Sequence, residues 1–105
     1  MDINEQIFKA LANDSRLKIL KWLRRPEVFA TDEVPVANIN YMVENYGGVC
    51  ATLIVAKTKL AQSTVSAYLK QLVQVDLLIS ERHDKWTYYR RNEKQIDCLV
   101  KYLEE

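Results

Sequence analysis

Residues 62 to 68 read Gln-Ser-Thr-Val-Ser-Ala-Tyr, a short stretch crowded with amide and hydroxyl side chains. Gln pairs a donor with an acceptor in the geometry of an adenine edge. Ser and Thr serve either kind of base group, and the Thr methyl fits against that of thymine. Ser and Thr are only fair helix formers, so three of them opening one helix need a reason beyond helix stability. Capping accounts for one. Gln62, Ser63, Thr64, Ser66 and Tyr68, with Lys70 beyond them, are the candidate contacts to double-stranded DNA.

A second group lies downstream. Arg82, His83 and Lys85 stand at or beside a sharp turn, and Arg90 and Arg91 lie on the return. A basic loop of this kind suits phosphates beside an adjacent minor groove. Trp86 and Tyr88 share one strand face and Tyr89 takes the other; they are read as packing anchors rather than base-stacking platforms. From Lys57 to Arg91 the charge is +4 and the remainder carries −3, although the whole chain is only +1. One basic segment on an otherwise acidic chain is what a phosphate-facing surface requires.

Other chemistries are poorly served. The one histidine, His83, has no Ser, Cys or Asp constellation beside it, and no glycine-rich phosphate loop is present. Glu104 and Glu105 form a solvated tail, not a catalytic carboxylate pair. No enzymatic activity and no cofactor are expected. Cys50 and Cys98 lie far apart in sequence. Two small apolar side chains are the favoured reading, and a redox pair is the sharper alternative. No apolar run is long enough to span a membrane, and Met1 to Glu5 do not open a signal peptide, so a cytoplasmic chain is expected.

The elements that must position these groups follow from periodicity. At 105 residues the chain is sized for a single domain, residues 1–105. Ile3, Ile7 and Leu11 predict a first helix to Ala12. Asn13-Asp14-Ser15 caps a second, running to Arg24, with Leu17, Ile19, Leu20 and Leu23 on its apolar face. Pro26 ends it. Residues 25 to 48 read as surface loop, then a short helix from Ala37 to Tyr46 stopped by Gly47-Gly48. A helix is expected over Val49–Lys57, a turn at Thr58-Lys59-Leu60, and another helix from Gln62 to Val75 with Val65, Leu69, Leu72 and Val73 inward. The period then shifts to two. Strands are expected over Leu77–Arg82 and Trp86–Arg91, joined across His83-Asp84-Lys85, where Asp tolerates a left-handed backbone. Asn92 caps a last helix with Ile96, Leu99, Val100 and Leu103 on one face and Cys98 and Tyr102 on the other. A terminal helix apolar on two sides calls for a second partner. The expected class is mainly α with a small β-hairpin, a winged helix-turn-helix, whose second short helix enters the major groove.

Three segments carry a family resemblance. Residues 10–20, ALANDSRLKIL, resemble the "AL-x-D-x-x-R-x-x-IL" opening of the ArsR/SmtB family of bacterial winged-helix regulators. Residues 60–69, LAQSTVSAYL, resemble its "LSQSTVSHHL" recognition helix, and Trp86-Thr87-Tyr88-Tyr89-Arg90 is similar to its "W-x-Y-Y-R" wing strand. The resemblance implies a homodimer formed through the first and last helices, bound to an inverted-repeat operator, acting as a repressor and released by an effector. Departures are informative. Ala61 stands at the usual N-cap Ser, Asp84 at a common Gly, and residues 25 to 48 exceed the usual connection. Cys50 aligns with the first thiol of the family's metal-binding "CVC", but Thr52 replaces the second, and the last helix has no histidine. No metal is therefore expected. The competing reading is a winged-helix module for protein–protein contact without DNA binding.

Overall fold

The structure is a computed structural model describing residues 2–105. Six helices surround a three-stranded antiparallel sheet. In chain order these are α1 (Glu5–Leu11), α2 (Asp14–Arg24), a 3-10 turn (Pro26–Phe29), α3 (Val36–Tyr46), β1 (Val49–Cys50), α4 (Ala51–Thr58), α5 (Gln62–Gln74), β2 (Leu78–His83), β3 (Trp86–Arg91) and α6 (Glu93–Glu104). The sheet order is β1-β3-β2.

Local chemistry explains most boundaries. Asn4 and Asn13 take extended backbone, and their side chains accept from Gln6 N and Arg16 N, capping α1 and α2. Asn92 caps α6 by accepting from Gln95 N. Gly47 ends α3 at φ 82°, a left-handed conformation that glycine adopts without penalty. α5 ends in a Schellman closure: Asp76 takes φ 63°, Asp76 N donates to Val73 O, and Leu77 N donates to Leu72 O. The core joins Ile7 and Ala10 of α1, Ile19, Leu20 and Leu23 of α2, Ile39, Ile54, Val65, Leu69, Leu72 and the strand-entry pair Leu77 and Leu78.

Four expectations are corrected. The helix expected over Val49–Lys57 starts only at Ala51, because Val49 and Cys50 pair with Tyr89 and Tyr88 as a third strand. Gly48 permits that approach: a Cβ there would lie 2.2 Å from Tyr89 O. Leu17 is exposed and Arg16 is buried in its stead, so α2 is turned relative to its simplest apolar reading. His83 belongs to β2, opposite Trp86, and the connection shrinks to Asp84-Lys85, with Asp84 at φ 56°. Of the expected apolar face of α6, Ile96 and Leu99 pack against the core, while Val100 and Leu103 face outward. Their predicted common face is split by the neighbours actually available to cover it.

Candidate nucleic-acid interface

α4 and α5 form the helix-turn-helix. Lys59 turns the chain at φ 60°, and the Thr58 hydroxyl donates to Val55 O at 2.8 Å while accepting from Leu60 N at 3.2 Å. Val65, Leu69 and Leu72 then anchor α5 by its inner face. The outer face of its first turns is left to solvent: Gln62, Ser63 and Ser66 are exposed and Thr64 is half-buried. Ala61, extended at the N-cap position, supplies no side-chain hydrogen bond. The start of α5 therefore has no side-chain acceptor at its N-cap, which suits it to an anion.

The remaining sequence candidates divide. Lys70, Arg82 and Lys85 are exposed and pair with no carboxylate among the described residues. Arg82 Nε donates to Asp84 O at 3.1 Å, which holds the side chain along the wing tip. Tyr68 is half-buried, its ring beneath the Arg16 guanidinium at 5.1 Å. His83 and Arg90 are engaged within the protein. His83 Nε2 lies 3.2 Å from Glu81 Oε1, and its ring lies 5.2 Å from that of Tyr46. Arg90 Nη1 binds Glu81 Oε2 and donates to Gly47 O at 3.1 Å. Arg91 pairs with Glu93. Of the basic wing residues, Arg82 and Lys85 are thus the ones whose charges remain for an outside partner. The Arg90 guanidinium, and after it His83, hold the Glu81 carboxyl below its ordinary value of 4.5.

The segment between residues 25 and 48 braces this wing. Tyr46, at the end of α3, stacks on Tyr88 of β3 with centroids 4.9 Å apart. Trp86 was read as a packing anchor, yet it is 49% exposed; Tyr88 is the buried aromatic. Both occupy one face of β3, where Tyr46 of α3 stacks on Tyr88.

Sequence reasoning passed over Arg16, Gln71 and Gln95. A signal for the first was present: Arg16 stands at i in a helical series whose i+3, i+4 and i+7 members are Ile19, Leu20 and Leu23, all buried. A charged residue in phase with an apolar stripe marks a buried bridge. Arg16 Nη1 reaches Gln71 Oε1 at 2.9 Å and Nε reaches Ala10 O at 2.6 Å.

Neither cysteine is disulfide-bonded: Cys50 is half-buried on β1 and Cys98 exposed on α6. Among the described residues no three His, Cys, Asp or Glu side chains gather as a metal site. No helix among them is long and apolar enough to cross a membrane.

Comparison with known proteins agrees with this geometry. No family model matches the chain. It is 42% identical over 98 residues to an HTH-type transcriptional regulator of Bacillus subtilis strain 168, YbzH, spanning 93% of this chain and 92% of that protein. It is 27% identical over 96 residues to the arsenical resistance operon repressor of the same organism, covering 91% of this chain and 72% of the repressor. Its fold matches that of the homodimeric winged helix-turn-helix DNA-binding domain of Mb0332 from Mycobacterium bovis, a possible ArsR-family regulator. That match has a TM-score of 0.60 and 24% identity, over 94% of this chain and 75% of that one. The chain belongs to the ArsR/SmtB family of winged helix-turn-helix transcriptional regulators, a family of regulators and not of enzymes.

Proposed function

We propose that this protein binds an inverted-repeat operator as a homodimer and represses transcription. The observation that carries the reading is the exposed, uncapped start of α5. There Gln62, Ser63 and Ser66 stand free of the core on a helix fixed from behind by Val65 and Leu69. Gln62, Ser63, Thr64 and Ser66 read base edges, and Lys70, Arg82 and Lys85 meet phosphates. Tyr68, His83 and Arg90 act through the shape of the recognition helix and wing, given their internal contacts. Two-fold pairing is supported by the apolar surface that α1 and α6 leave uncovered. Phe8 and Tyr102 approach with centroids 6.1 Å apart, and Val100, Tyr102 and Leu103 are each about half exposed or more.

The test is to sequence the genomic fragments retained by the purified full chain and measure affinity for them between low and moderate salt. An inverted repeat with a steep loss of affinity on adding salt is expected. Absence of any retained duplex would instead favour a protein-binding module.

A further inference from the structure

Among the described residues, two polar side chains are buried, Arg16 and Gln95, and both tie α5 to the helices at the uncovered apolar surface. Arg16 holds α1. Its Nε donates to Ala10 O at 2.6 Å and its Nη2 to Lys9 O at 3.3 Å, at the carbonyl end of that helix. Its Nη1 donates to Gln71 Oε1 on α5 at 2.9 Å, and its guanidinium lies over the ring of Tyr68 on the same helix. No carboxylate pairs with it among the described residues. The negative pole of α1 and the Tyr68 ring compensate the charge instead.

Gln95 performs the matching link from α6. Its Nε2 donates to Val75 O, the C-cap of α5, at 3.1 Å and to Asp2 O, just ahead of α1, at 3.4 Å. Its Oε1 accepts no hydrogen bond among the described residues. The unpartnered buried oxygen costs stability and offsets part of what the two donated hydrogen bonds contribute.

What the two bridges supply is orientation. Apolar contacts permit small rotations and slides, whereas directional hydrogen bonds at Gln71 and at Val75, one turn apart, fix both the roll and the axial position of α5. We propose that Arg16 and Gln95 are positioning residues that lock the recognition helix to α1 and α6. In a dimer formed through those helices they set the separation of the two recognition helices, and so the half-site spacing the protein accepts. This rests on the DNA-binding dimer of the preceding subsection.

The experiment uses the full chain and synthetic duplexes. The inverted repeat it selects is rebuilt with its central spacer unchanged and altered by one and two base pairs. Wild type should lose roughly tenfold or more in affinity for each altered spacer. Gln95→Met and Arg16→Lys should flatten that profile to roughly threefold while remaining dimeric by sedimentation. Gln95→Met loses both donated hydrogen bonds and should resist urea less well than wild type, so the flattened spacing profile is the outcome that no merely structural role predicts. Gln71→Leu removes one bridge at an exposed position and serves where Arg16→Lys fails to fold. Variants that keep the wild-type spacing profile would overturn the inference alone. A wild type that binds no duplex would overturn the reading on which it rests.

Discussion

Tyr46 stacks on Tyr88 at an interplanar angle of 29°, joining the helix of the long connection to the central strand of the wing. The contact gives residues 25 to 48 a mechanical role. Tyr46→Ala should destabilise the protein by about 1–2 kcal/mol in urea denaturation, from lost stacking and apolar burial. Tyr46→Phe should restore most of that. Equal stability for all three proteins would mean α3 does not brace the wing.

The start of α5 and the wing tip should separate in their effects. Ser63→Ala with Thr64→Ala should abolish selective retention of operator DNA, with the fold and dimer intact by circular dichroism and sedimentation. Lys85→Ala should weaken binding evenly across sequences and reduce the salt slope by about 1 per protomer, the signature of a phosphate contact. Loss of folding in the double variant would place Ser63 and Thr64 in the core.

Glu81 predicts an acid limb. Its carboxyl is held below 4.5 in the folded protein by Arg90 and His83, so the folded state favours the ionised form. That contribution is fully present above the ordinary value and is lost as pH falls through the lowered one. Wild type should exceed Glu81→Gln in stability near neutrality, and the two should converge below pH 4.5. A constant difference across an acid titration followed by thermal melts would dismiss the link.

Leu103 is 66% exposed beside Tyr102, on the face assigned to pairing. Leu103→Glu in both protomers places two like charges in an apolar contact, which should weaken the dimer by roughly tenfold or more. Sedimentation across a dilution series measures it. An unchanged dissociation constant would move the interface elsewhere.

The thiols should differ in rate. Cys98 is exposed and Cys50 half-buried beside Tyr88, its partner in the strand register. Alkylation followed by mass spectrometry should modify Cys98 first. Mild oxidation that links Cys50 to Cys98 would support the redox pair, whereas two free thiols after treatment would end it.

The amino-acid order alone determined the run of elements, because periodicity and caps are local. The 3.6-residue stripe of Val65, Leu69 and Leu72, the shift to alternation after Asp76 and the capping asparagines needed no partner to be legible. The exposed Gln62-Ser63 end was legible for the same reason: it lies outside the stripe. What only the tertiary structure decided was non-local. Val49 and Cys50 became a strand because β3 offered them an edge, at Tyr89 and Tyr88, far away in sequence. His83 and Arg90 look like free charges until Tyr46, Glu81 and Gly47 arrive beside them. Arg16 reads as an ordinary helix residue until α1 and α5 close around its guanidinium. Packing across long sequence separations sets which polar groups face water, and local propensity carries no record of it.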